Sequence, residues 1–141
     1  MNIFEAFATD AKLEQEGRWV RIGGTDDKPS EILVARTGTH QYNAIMSQQY
    51  EANRTMLDSK DTVAANLKVE QMIQHAVATC VLLGWKNLED AEGRPLEYTY
   101  KNARALLAMR DFRELVTAEA AKFQMYKAAQ MEADGKNSKP A

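Results

Sequence analysis

Cysteine occurs once in the 141 residues, at Cys80, so no internal disulfide can form. That usage fits a reducing compartment such as a cytoplasm. A dominant charge of one sign is missing too. Lys and Arg total 18 against 20 Asp and Glu, both signs are mixed along the chain, and the formal net charge is −2. A dedicated DNA or RNA binder carries a basic face and a high pI, whereas the pI here is about 5.7. No nucleic-acid partner is expected. Long apolar runs are also absent. The longest, around residues 76–85, falls far short of the roughly 20 residues that a membrane span needs. Residues 1–7 hold no basic segment ahead of an apolar one, so neither a secretory leader nor a membrane partner is expected. No internal repeat and no second domain is visible.

The motifs of catalysis are equally sparse. Gly23-Gly24 follows a strand-like segment, but Gly-Gly-Thr-Asp-Asp-Lys-Pro-Ser lacks the Lys-Ser/Thr ending and the helix start of a phosphate loop. His40 and His75 have no His or Cys partner at ligand spacing, and zinc needs three or four such ligands. Cys80 lies among Ala76, Val77 and Val81, and reads as a small core residue, not a thiolate. Around Glu89-Asp90-Ala91-Glu92-Gly93, a calcium loop would place Leu88 and Thr99 where carboxylates are required. No pair of carboxylates can be singled out for acid–base work. The sequence therefore predicts a binding protein, not an enzyme, with no cofactor and no metal.

What is present is a helical pattern. Hydrophobic residues make up 45 %, enough for a core. The expected fold is mainly α (α+β): one small helical domain over residues 1–133 with an N-terminal β-hairpin near 18–36. Residues 134–141 read as a flexible, solvated tail. Asn2 caps a first helix over 2–16, carrying Ile3, Phe4, Phe7 and Ala11, which Gly17 ends. Alternation at Arg18-Trp19-Val20-Arg21-Ile22 and a Gly/Asp/Pro turn predict the hairpin, whose second strand centres on Ile32-Leu33-Val34.

A weakly apolar helix follows over 39–57. The clearest helical rhythm runs over 62–83, with Val69, Met72, Ile73, Ala76, Val77, Cys80 and Val81 on one face. It is the expected core helix, with Gly84 as its C-cap and Trp85 buried just beyond. Residues 85–98 form a loop or small hairpin turning at Glu92-Gly93. Thr99 caps a helix with Ala103, Leu106 and Leu107. Asp111, with Glu114 three residues on, restarts helix to about Ala133, its stripe being Phe112, Leu115, Val116, Ala120 and Phe123.

Two stretches have a familiar order. One is Ile32 to Gly38 followed by a helix opening with Tyr42. The other is Leu83-Gly84-Trp85-Lys86-Asn87-Leu88, then Asp90, Glu92-Gly93-Arg94-Pro95-Leu96, Tyr98-Thr99 and the helix with Ala103 to Leu107. Together they make residues 3–130 resemble the tail assembly chaperones of long, flexible-tailed bacteriophages of the lambdoid type and related prophages. The resemblance implies a protein that binds the tape-measure protein in the host cytoplasm, keeps it soluble, gives way to the tail tube protein and is absent from the mature virion. Many such chaperones exist in two lengths through a programmed frameshift, and this chain would be the short form. One departure is that the family often has a proline where Arg110-Asp111 stands here.

The family has no catalytic motif to transfer. Partner-binding candidates rest instead on side-chain type. Methionine and aromatic residues suit adaptable contacts. Met125, Tyr126 and Met131 lie off the last helix's stripe, in a segment (125–133) expected to project or fray. Tyr42 and Met46 lie on the weakly apolar 39–57 helix. Bare hairpin edges predict weak homo-oligomers. The competing classes are a small phage DNA-binding regulator and a structural head or tail completion protein.

Overall fold

The computed structural model describes residues 1–128. The hairpin forms as expected. Strands β1 (Arg18–Gly24) and β2 (Pro29–Val34) pair antiparallel, from Arg18 opposite Val34 to Arg21 opposite Glu31. Gly24 sits at φ +80°, where a Cβ would lie 2.5 Å from the Lys28 carbonyl oxygen, so the turn requires glycine.

A third strand was not foreseen. β3 (Leu82–Lys86) pairs antiparallel with β2, setting Trp85 opposite Ile32 and Gly84 opposite Leu33, to give the order β1-β2-β3. The core helix, α5 (Thr62–Cys80), therefore stops earlier than 83, and Gly84 is a strand residue and no C-cap. A continuous apolar run fits a buried helix and a buried strand equally well. A two-stranded ribbon is marginal alone, and pairing Leu82–Lys86 with β2 completes it.

The first expected helix is two short ones, α1 (Ile3–Ala6) and α2 (Ala11–Glu16). Asn2 caps α1, and the Asp10 carboxylate makes a second cap by accepting from the Leu13 amide at 2.9 Å. The 39–57 segment divides at Asn53 into α3 (His40–Ala52), capped by Thr39, and α4 (Arg54–Leu57). Helix α6 (Tyr100–Leu107) starts at the Thr99 cap as expected. Helix α7 (Arg110–Ala120) begins one residue before Asp111 and ends far short of 133. The chain then turns through a 3-10 segment, Phe123–Tyr126.

The result is a small α+β fold. Ile32 and Val34 of β2, Leu82 of β3, Val77 and Cys80 of α5, Ala103 and Leu107 of α6, and Val116 and Ala120 of α7 form the core beneath one face of the sheet. The expected rhythm of α5 holds in its second half, where Met72, Ala76 and Val77 are buried. Near its start Val63 and Leu67 are exposed. Phe112 packs on the core, while Leu115, expected on the same stripe, is exposed.

Candidate protein-binding surface

The two ends of the described chain hold each other. The Tyr126 side chain is fully buried, and its hydroxyl donates to the Val34 carbonyl at 2.9 Å. The Tyr126 carbonyl accepts from the Asp10 amide at 2.8 Å, and the Ala128 amide donates to the Ala8 carbonyl at 3.2 Å. Thr9 and Lys127 make an antiparallel bridge. Burial raises the Tyr126 phenol pKa, against a smaller opposing pull from the Arg18 guanidinium, which lies 5.2 Å from the ring centroid. Residues 125–128 thus return to the body of the protein, contrary to the expectation that 125–133 projects. Residues 129–133 and the expected tail at 134–141 lie outside the described residues.

Arg18 ties this end to α7. Its Nη2 donates to Glu119 Oε2 at 2.7 Å and to the Glu119 carbonyl at 2.8 Å. Burial pushes the Glu119 carboxyl up, but Lys122 and Arg18 together outweigh it and hold the group below its ordinary value. A lowered folded-state pKa contributes stability above the unfolded value that is lost as pH falls through the folded one. The Glu119→Gln variant is therefore expected to be less stable than the wild type at neutral pH. The gap between them is expected to close in acid, below the ordinary glutamate range. Urea midpoints measured across that range check this; a gap that stays constant would mean that the carboxylate charge is not its source.

Next to the buried tyrosine the surface is apolar. Phe7 stacks on Phe123 with centroids 5.4 Å apart. The Arg36 guanidinium and the Lys127 ammonium lie 6.0 and 5.4 Å from the Phe123 ring centroid. Beyond this stack Ile3 is 57 % exposed, Phe4 87 %, Phe7 60 % and Met125 45 %. α1 is only four residues long and carries no buried residue. Sequence periodicity placed Ile3, Phe4 and Phe7 at helical spacing on one expected helix and did not mark them as exposed. The available signal was Thr9-Asp10, a second capping position inside the expected helix.

Of the five side chains chosen from sequence, four lie among the described residues, two in the 3-10 segment and two on α3. Met125 is exposed in the 3-10 segment that carries Phe123, Tyr126 is a buried core residue, and Met131 lies outside the described residues. Tyr42 is half-buried and packs against the core, and burial is the main cause of its raised pKa. Met46 is half-buried on the same helix, with Gln49 Nε2 3.8 Å from its sulfur. α3 packs on α4 and α5.

A concave feature surrounds Trp85, which is half-buried instead of fully enclosed. Its indole N–H donates to the Leu96 carbonyl at 2.7 Å, and its ring meets Tyr98 edge-on at 4.9 Å. With Pro95 and Leu88 these rings line a cleft of about 530 Å³ beside the hairpin turn. Asp90 organises the cleft's outer loop by accepting from the Glu92 and Arg94 amides.

Cys80 and His75, also weighed from sequence, make local contacts. Burial raises the Cys80 thiol pKa, and the thiol contacts the Ala76 carbonyl within its own helix. His75 Nδ1 lies 2.7 Å from the Tyr100 hydroxyl, linking α5 to α6. No helix among the described residues is long and apolar enough to cross a membrane.

Fold and surface thus define a small α+β protein whose conspicuous feature is an exposed apolar patch. Residues 37–137 match the family described as YdaY prophage protein, and the chain belongs to that family. It is a phage-derived protein. No curated protein and no solved structure matches it.

Proposed function

We propose that this prophage protein is a tail assembly chaperone. On this reading it binds and solubilises the tape-measure protein in the host cytoplasm, yields to the tail tube protein and does not remain in the finished virion. Its work is binding, not catalysis. The observation that carries the reading is the Ile3, Phe4, Phe7 and Met125 surface, three of whose members are more than half exposed. The Phe7–Phe123 stack joins the two segments that carry these side chains, and exposed apolar side chains grouped in this way mark interaction sites. A four-residue helix with no buried residue can also shift to fit different segments of a long helical partner, because so short a helix has little stability of its own. The resemblance of residues 3–130 to tail assembly chaperones and the prophage family membership point the same way.

A DNA-binding regulator would need free cations on α6 and α7. Of the three arginines there, Arg104 instead donates to the Tyr100 hydroxyl at 2.8 Å, Arg113 to the Leu107 carbonyl at 2.9 Å, and Arg110 lies 3.8 Å from Asp111.

The test is a double variant, Phe4→Asp with Met125→Asp, co-expressed with the tape-measure protein. Both side chains are on the surface, so stability is expected to stay within ~0.5 kcal/mol per site. Recovery of soluble tape-measure protein is expected to fall at least about tenfold, the usual consequence of losing a contact hot spot. Full recovery with the double variant would sink the assignment of this surface. Wild-type chain found in purified virions would favour a completion protein.

A further inference from the structure

Among the described residues, β1 is an edge strand paired on one side only. Among the described residues, every backbone hydrogen bond to residues 18–23 comes from β2. On the sheet face away from the core, Trp19 and Arg21 are exposed, and the Lys86 ammonium lies 3.9 Å from the Trp19 ring centroid. On the inner face Val20 and Ile22 are half-buried at the rim of the core. A bulge at Ile22 breaks the register with β2 between Arg21 and Gly23, which limits any further regular pairing to about residues 18–22.

We propose that a second copy of this chain pairs along that edge, β1 against β1, about a twofold axis at Val20. Geometry narrows the choices. Directly opposed residues in an antiparallel pair lie on the same face, so only registers that match inner with inner and outer with outer are allowed. Centring on Arg21 sets Arg21 against its own copy, a like-charge pair that opposes association. Centring on Trp19 leaves Ile22 unpaired and puts Gly17 opposite Arg21. Centring on Val20 sets each Arg21 opposite the other copy's Trp19 on the outer face, a cation–π pair made twice. On the inner face Val20 meets Val20, and Ile22 lies opposite Arg18, whose guanidinium stays on Glu119. Arg21 is available for this, since its present ion pair is with Asp26, whose side chain is 98 % exposed. The charge and aromatic pattern of the strand is thus self-complementary in one register. Pairing over five residues buries less than a standard interface of roughly 1,200–2,000 Å², so the dimer is weak and concentration-dependent. It stands whether or not the chain binds a tape-measure protein.

Single cysteines distinguish the registers in a full-length Cys80→Ala background. A twofold at Val20 brings the Val20 Cα atoms to about 4.5–5.5 Å, within disulfide range. Under mild oxidation Val20→Cys is expected to give a covalent dimer, while Trp19→Cys and Arg21→Cys stay monomeric. Light scattering on the wild-type chain is expected to show mass rising with concentration, and Arg21→Ala to weaken the dimer about tenfold through loss of two cation–π pairs. A monomeric wild-type mass at every concentration overturns the proposal. So does cross-linking through position 19 or 21 in place of 20. The soluble tape-measure assay reads the chaperone function separately.

Discussion

Tyr126→Ala is expected to destabilise the protein by about 3–5 kcal/mol, the range for deleting a large buried aromatic side chain. For a chain of this size that corresponds to a fall in Tm of roughly 10–20 °C. Three effects combine. The ring's removal leaves a cavity between β2 and the N-terminal segment. The Val34 carbonyl loses the hydroxyl that donates to it, and burial keeps water from replacing it fully. Arg18 loses the aromatic face beside its guanidinium. Tyr126→Phe separates the terms, since it keeps the ring and forfeits only the hydrogen bond, at about 1–3 kcal/mol. Truncation after Gln124 is expected to cost at least as much as the alanine variant. Urea denaturation of all three proteins gives the comparison. An alanine variant within ~0.5 kcal/mol of the wild type would mean that the terminal segment is not part of the packed structure.

Trp85→Ala carries the second largest effect, about 3 kcal/mol, at the lower end of the range for tryptophan because the ring is only half-buried. Its inner-face position opposite Ile32 puts part of the indole over the core, and the rest forms the floor of the cleft. Loss of the indole N–H also leaves the Leu96 carbonyl without its donor, so the loop over 88–96 is expected to loosen. Trp85→Phe retains an aromatic partner for Tyr98 and is expected to recover about half of the loss. Thermal melts followed by far-UV circular dichroism measure this without relying on tryptophan emission. An unchanged Tm for Trp85→Ala, together with lost tape-measure solubilisation, would instead make Trp85 a partner anchor.

Local signals in the sequence were reliable where a single side chain decides the backbone. Asn2 and Thr99 cap helices where expected, and the glycines at 17 and 24 end a helix and close a turn. The β1–β2 pairing followed from period-two alternation. The failures were of tertiary origin. Nothing local separates the last turn of α5 from β3, because Val81, Leu82 and Leu83 suit either state and only the vacant edge of β2 selects the strand. The end of α7 was misplaced because Ala121, Lys122 and Gln124 are good helix formers. A helix continuing there would carry Tyr126 away from Val34 and Asp10, and those contacts prevail. Of the candidate surface, Met125 was legible from side-chain type. Phe4 and Phe7 were not, since an apolar stripe carries no mark of whether anything covers it.

The Tyr126 clamp also governs when the structure can finish forming. Synthesis at about 5–20 residues per second delivers Asp10 and Val34 to the growing chain well before Tyr126, with an interval of roughly 5–20 s between strand and tyrosine. Throughout that interval the seat between β2 and the N-terminal segment is empty, and Phe7 has no Phe123 to stack on. The nascent chain therefore shows more apolar surface than the finished one, in a compartment where other copies are being made at the same time. Closing the seat is a late, long-range step that unites the first residues with the last described ones. Slowing translation beyond codon 34 would lengthen this vulnerable period without altering the final fold.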